Sequence, residues 1–237
     1  IYDIPGNSQM VITGENGYTK TINFEIELDV DGVENGITYY TPVVPSISGG
    51  TITLDGAAYE SETPITTKGH HTLIITGANG FRETINFTIE TTIVGVADGQ
   101  TYTETLYPDI NGENMTLNGV AYNNEPIENC GNYTLTITGT NGYSKTITFV
   151  IETVISALTN GETYDEEVTP SFTKGTATLN GEEYISGTTI YTPGVNTLVI
   201  TGENGYSVTY TFTIVLGIEN IVDGETYIGE VTPIISG

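Results

Sequence analysis

The chain of 237 residues has no tryptophan, one cysteine, two histidines and only five lysines and arginines together. Each scarcity excludes a class. A single thiol, Cys130, builds no disulfide framework. Its counterparts in the repeat described below are Pro5, Lys68 and Pro193, so the thiol is not part of a shared design. Five basic residues against thirty acidic ones give a net charge of −25. Such a surface repels nucleic acid and anionic lipid, both of which are held by Lys and Arg. No apolar run approaches the roughly 18 to 20 residues of a membrane-spanning helix, so no membrane insertion is expected in this segment. No segment has helical periodicity. No Ser/His/Asp set recurs, no His-Glu-x-x-His is present and no phosphate loop opens a helix, so an enzyme is not expected. The pair His70 and His71 has Val195 and Asn196 in its place elsewhere, and both histidines are expected as exposed strand residues.

What is there is a repeat. TGENGY at Thr13–Tyr18 returns as TGANGF at Thr76–Phe81, TGTNGY at Thr138–Tyr143 and TGENGY at Thr201–Tyr206, in steps of 63, 62 and 63 residues. Tyr39, Tyr102, Tyr164 and Tyr227, each after a Gly-x-Thr, keep the same beat. Two markers in one register define whole repeats at 28–90, 91–152 and 153–215, with partial ones at 1–27 (a carboxyl-terminal part) and 216–237 (an amino-terminal part). Because the ends fall out of phase with the repeat, the chain is expected to be an excerpt of a longer polypeptide. Each whole repeat carries a net −6, from 8 acidic and 2 basic residues in the first and 7 and 1 in the other two. Charge is therefore a property of the repeat, as in a surface kept soluble.

Within a repeat the apolar period is 2. Leu135, Ile137, Ile147, Phe149 and Ile151 alternate with threonines and are expected to face inward. Between the two runs stands Asn141-Gly142, a hairpin signal because both residues tolerate positive φ; Asn16-Gly17, Asn79-Gly80 and Asn204-Gly205 repeat it. Asp55-Gly56, Asn118-Gly119 and Asn180-Gly181 mark an earlier hairpin. With the extended segments near Tyr39 and Val43 to Ile47, a repeat holds about six or seven short strands. The one-residue deficit of the middle repeat lies between Tyr122 and Gly131, which places Glu125-Pro126 in a connection. The recurrent Phe24, Phe87, Phe149 and Phe212, the Gly-x-Thr-Tyr tyrosines and the series Tyr18, Phe81, Tyr143, Tyr206 are expected to serve each repeat's own core and turn packing.

Many short strands with regular turns and no helices predict an all-β chain of small sandwiches. The text NGETY, VTP, GTATLNGEEY and TLVITGENGY, densest between Gly161 and Ile214, resembles the bacterial immunoglobulin-like (Big-type) tandem repeats of surface proteins. The resemblance covers the whole chain. It implies tandem Ig-like β-sandwiches in an extended array, at the cell surface, extracellular, with neighbouring repeats or copies of itself as partners. The immunoglobulin disulfide and its packed Trp are missing, so the resemblance fixes the sandwich better than its strand order.

A domain of about 60 residues without metal or disulfide is marginal alone, and the step from Thr88-Ile89-Glu90 to Ile93-Val94 leaves no linker. A stiff, extended array is therefore expected, a structural stalk or fibre segment of a bacterial surface protein. Two alternatives stay open. One is an adhesin that holds a host or matrix protein, or a glycan, on inter-strand loops. The other is a filament subunit in which residues 216–237 and 1–27 of two chains complete one sandwich by strand complementation, though that pair lacks the positions matching Thr176 to Thr189. No cofactor is expected. Calcium is the one metal considered, at Asp29 and Asp31, whose counterparts Thr92, Val94, Val154 and Ser156 carry no carboxylate. The runs Asp165-Glu166-Glu167 and Glu182-Glu183 read as solvated loop. Lys-to-Asn isopeptide staples are discounted because Lys20 and Lys145 align with Glu83 and Val208. The sequons at Asn86, Asn114 and Asn132 read as incidental.

Overall fold

The computed structural model describes residues 2–236; Ile1 and Gly237, the outer bounds of the partial repeats, lie outside them. The described chain is all β, with a single 3₁₀ turn at Ala78–Gly80. It divides into two compact units, one made of Ile1–Val94, Asp109–Asn123 and Leu135–Thr146, the other of Gly95–Pro108, Asn124–Thr134 and Ile147–Gly237.

The first unit contains residues 28–90 entire. Their five-stranded sheet runs in the order Thr38–Tyr39, Arg82–Ile89, Gly69–Thr76, Thr51–Leu54, Ala57–Ala58. A second, two-stranded sheet pairs Asp29–Asp31 with Ser46–Ser48. That makes seven strands, as the spacing of turns predicts. Gly69–Thr76 and Arg82–Ile89 are joined by the Asn79-Gly80 turn and pair over eight residues. Their alternation sends Leu73, Ile75, Ile85, Phe87 and Ile89 inward, against Val33, Val43, Ile47 and Ile65 from the facing segments. Burying such side chains contributes about 1.5–3 kcal/mol each.

The second unit contains residues 153–215 on the same plan. Thr163–Tyr164, Ser207–Ile214, Gly194–Thr201, Thr176–Leu179 and Glu182–Tyr184 form the five-stranded sheet, and Ile155–Ser156 pairs with Ser171–Phe172. Its core is Leu158, Val168, Ala177, Tyr184, Ile190, Leu198, Ile200, Phe212 and Ile214. The division into units falls inside residues 91–152, whose pairings repeat the plan: Thr92–Val94 with Asp109–Asn111 in the first unit, Gln100–Tyr102 with Phe149–Ile151 in the second. Leu135, Ile137, Ile147, Phe149 and Ile151 are all buried, as the period-2 pattern requires. Glu125 and Pro126 lie between strands, in a connection.

His71 corrects an expectation. It is 2% exposed, because the alternation that carries Leu73 and Ile75 inward carries residue 71 with them, while His70 points out. Both ring nitrogens of His71 face acceptors, Asp55 Oδ2 at 2.8 Å and the Thr67 carbonyl at 2.9 Å. The third repeat meets the same requirement with amides: Asn196 Nδ2 donates to the Thr192 carbonyl and Asn180 Nδ2 to Asn196 Oδ1. The middle repeat uses a phenol, with Tyr133 OH donating to the Asn129 carbonyl at 3.0 Å. Three different inward side chains thus hydrogen-bond the carbonyl four residues upstream, which satisfies the polar atoms that the register buries.

Candidate functional site: the parallel strand pair and the joint

Two constructions recur and explain the two sequence markers. The first surrounds the Gly-x-Thr-Tyr tyrosines. In 28–90, Thr38 and Tyr39 pair parallel with Thr88 and Ile89, so a strand near the start of the repeat lies beside its last strand, running the same way. Gly36 N donates to the Asn86 carbonyl at 2.6 Å, Thr88 N to Ile37 at 3.0 Å and Glu90 N to Tyr39 at 2.7 Å. Asn35 Oδ1 adds a fourth bond by accepting from Asn86 N at 2.8 Å. The second unit shows the arrangement twice, with Asp98 Oδ1 accepting from Thr148 N and Asn160 Oδ1 from Thr211 N, each at 2.8 Å. The tyrosine locks the loop: its hydroxyl accepts from the backbone N–H of the residue five before it, Glu34, Ala97, Thr159 and Val222 in turn, at 2.8–2.9 Å. Tyr39, Tyr102 and Tyr164 also set their rings edge-on to Phe87, Phe149 and Phe212 at 6.2–6.3 Å. Those phenylalanines are core residues at 3% exposure or less, whereas Phe24 is half-buried beside Tyr2.

The second construction is the joint between repeats, built by the TGxNG turn. The turn of each repeat sits on the residues that open the final hairpin of the repeat before it. The N–H of its third residue donates to a carbonyl there: Ala78 to Pro5, Thr140 to Lys68 and Glu203 to Cys130, each at 2.8 Å. The second residue must be glycine for closeness, since a Cβ on Gly77, Gly139 or Gly202 would lie 2.1–2.3 Å from that same carbonyl oxygen. In the docked turns Asn79, Asn141 and Asn204 take φ of 52–54° and the following glycines 77–81°, the doubly left-handed turn that the Asn-Gly signal predicts. Asn141 Nδ2 then reaches the His70 carbonyl at 2.7 Å, and Asn79 Nδ2 reaches the carbonyl of Asn7.

The aromatic that ends the turn belongs to the joint rather than to a private core. Tyr143, 4% exposed, accepts from Thr91 N at 3.2 Å and donates to Glu90 Oε1 at 2.5 Å. Lys145 Nζ donates to the same oxygen at 2.9 Å, so the last residue of 28–90 is tied to the final hairpin of the next repeat. Burial pushes the Glu90 carboxyl up, but the hydrogen bonds from Tyr143 and Lys145 and the charges of Lys145 and His70 outweigh it and hold Glu90 below the usual carboxylate value. The Lys145 ammonium is raised in turn by its bond to Glu90. In the second unit Tyr206 OH accepts from Thr153 N at 3.2 Å. There the joint also encloses Cys130, fully buried, its thiol pushed up mainly by that burial.

Asp29 and Asp31 lie on the exposed side of a three-residue strand, and Asp31 Oδ1 accepts from Gly32 N at 2.8 Å. No group of three metal-ligating side chains is found among the described residues. The chain matches no protein family and no curated protein. Solved structures align with it over most of its length at low identity. One is the Bacteroides ovatus mixed-linkage glucan utilization locus protein SGBP-B in complex with a mixed-linkage heptasaccharide, at 12% identity over 85% of this chain and 76% of that one, TM-score 0.20. A second is a Ca²⁺-stabilized adhesin of an Antarctic bacterium that binds ice, at 13% identity over 88% and 81%, TM-score 0.16. A third is the insect immune protein hemolin, at 11% identity over 87% and 81%, TM-score 0.19. Scores of this size carry no argument, and the all-β fold rests on the strands and cores described above.

Proposed function

We propose that the chain is a non-catalytic, tension-bearing segment of an extracellular bacterial surface protein, its repeats Ig-like in kind. The observation that carries this reading is the parallel pairing of an early strand with the last strand of each repeat. When a repeat is pulled from its two ends, parallel strands at those ends slide along each other. Their hydrogen bonds are loaded together, in shear, rather than opened one at a time. Each bond contributes only about 0.5–1.5 kcal/mol net, but four must yield at once. The joints continue this resistance from one repeat to the next, because Glu90, the last clamped residue of its repeat, is also bonded to Tyr143 and Lys145 of the following one.

Single-molecule stretching of the chain tests the reading. Discrete unfolding events are expected, each releasing about 63 residues, on the order of 200 Å of extended chain. Asn160→Ala, which removes the side-chain acceptor of Thr211 N from one clamp, should lower the unfolding force of one event and leave the others alone. A featureless extension, or a force unmoved by that substitution, would overturn the proposal.

A further inference from the structure

The hexapeptide TGENGY occurs twice with identical residues, at Thr13–Tyr18 and at Thr201–Tyr206, and it takes two conformations. At 201–206 it is docked: Asn204 and Gly205 are both left-handed, and Tyr206 N donates to the Glu203 carbonyl at 3.1 Å. At 13–18 only Gly17 is left-handed, and Gly17 N donates to the Gly14 carbonyl at 3.0 Å instead. Local sequence cannot cause the difference, since it is the same. What differs is the seat beneath the turn. A Cβ on Gly202 would meet the Cys130 carbonyl at 2.3 Å, whereas the nearest atom to one on Gly14 is 3.8 Å away. Gly14 is not left-handed either, so among the described residues nothing requires glycine there. Tyr18 is 73% exposed, against 4% for Tyr143.

We infer that the Thr13–Tyr18 turn is a docking surface for another β-repeat of this kind, one whose final hairpin opens with the chemistry of Asn129 to Tyr133. The residue at the third place of the turn decides which seat fits. Glu203 finds a donor on its seat: Asn129 Nδ2 reaches Oε1 at 2.6 Å, while Tyr133 OH, whose proton goes to the Asn129 carbonyl at 3.0 Å, stands 3.4 Å from Oε2. Asn132 closes the contact, its N–H on the Glu203 carbonyl at 3.2 Å and its Nδ2 on the Asn204 carbonyl at 3.3 Å. Glu15 occupies the place of Glu203, so a seat carrying the Asn129 amide offers it the same charge-assisted hydrogen bond, which a seat without that amide does not. The seat at Pro5 takes Ala78, which asks for none, and the exposed seat around Pro193 carries Thr192 and Val195 where the Glu-bearing turn requires amides. Glu15 therefore selects an Asn-and-Tyr seat over a Pro193-type seat, and docking carries Asn16 into the left-handed region. This inference rests on joint geometry and is independent of the response to tension.

The test uses the whole chain. Thr192→Asn, Val195→Asn and Asn196→Tyr together write the Asn129, Asn132 and Tyr133 side chains onto the exposed Pro193 seat, whose backbone carbonyl is retained. Sedimentation velocity over a concentration series should show the triple variant associating head to tail at least tenfold more tightly than the unmodified chain. Adding Glu15→Ala should return it to the unmodified behaviour, and the Asn16 and Gly17 amide signals should shift on association only while Glu15 is present. Amide dispersion checks folding. Should the buried Asn196→Tyr change prevent it, the variant with Thr192→Asn and Val195→Asn alone decides, with a smaller gain expected. Association no tighter than that of the unmodified chain, or indifferent to Glu15→Ala, would overturn the inference.

Discussion

A glycine in a turn is usually explained by its φ, yet Gly77, Gly139 and Gly202 are explained by what lies across the joint. Their φ values are ordinary, and the space of a missing methyl is taken by a carbonyl oxygen of the preceding repeat. Gly202→Ala would push against the Cys130 carbonyl at 2.3 Å and Sγ at 2.6 Å, an overlap of the kind that costs about 1–3 kcal/mol when a packed contact cannot relax. Cys130 reports the consequence directly. Its thiol is buried in the joint and is reached by a reagent only when the joint opens. Under native conditions Cys130 should react with a thiol reagent far more slowly than a free cysteine. Gly202→Ala should speed that reaction by about tenfold or more, since each 1.4 kcal/mol is a factor of ten. Gly14→Ala should leave it unchanged, having no seat to strain. Equal rates in all three proteins would show that the joint does not govern access to the thiol.

At the scale of the element, the TGxNG hairpin was legible as a hairpin and illegible as a joint. The Asn-Gly signal predicts left-handed pairs, and Asn79, Asn141 and Asn204 comply; Asn16 does not, because the conformation is completed by contact with a neighbouring repeat. Periodicity likewise finds which strand residues face inward but not which polar side chain belongs among them. The counterparts Val195 and Asn196 point His71 to the surface, but its register beside Leu73 and Ile75 carries it inward. Recurrence shows that the turn aromatics are needed for core and turn packing without showing that, for Tyr143, the partner is Glu90 of the preceding repeat.

The joint made by Tyr143, Lys145 and Glu90 also carries a pH dependence whose sign follows from Glu90. A carboxyl held below its usual value in the folded chain contributes stability that is present above its unfolded pKa, roughly 4.3, and is lost as pH falls through the folded value. Lysine 145 acts at the opposite end, since a raised ammonium keeps its contribution until pH climbs through its folded value. Between about pH 5 and 9 the joint should therefore be constant. Below pH 4 it should weaken, seen as a smaller protection factor, relative to the unstructured rate at the same pH, for the Thr91 amide that Tyr143 OH accepts. Glu90→Gln should remove that acid dependence while leaving Thr91 exchange near neutral pH only modestly faster. An acid dependence that survives Glu90→Gln would place its origin elsewhere.

For the molecule as a whole, the deciding quantity is the charge of one sign spread over every repeat. Thirty acidic residues face five basic ones, so repulsive pairs far outnumber attractive pairs such as Glu90 with Lys145. Folding draws these charges together, and self-repulsion of this kind opposes the compact state. Exposed charges are screened over about 30 Å at 0.01 M salt but only about 3 Å at 1 M, so added salt removes repulsion faster than it removes the few partly buried attractions. The melting temperature should therefore rise between about 0.01 M and 0.5 M NaCl, by roughly 2–4 °C for each kcal/mol of relieved repulsion in a chain of this length. Chloride is the proper anion, because sulfate would strengthen apolar burial by itself. The same titration separates screening from binding. At constant ionic strength, replacing NaCl with about 1 mM CaCl₂ should leave the melting temperature unchanged if the carboxylates act only as a diffuse field. A rise that saturates with calcium would mean that ligands gather at a site such as Asp29 and Asp31, because binding to the folded state alone stabilises by mass action. A melting temperature that falls with NaCl would mean that the few ion pairs, not the many like charges, set the stability of the array.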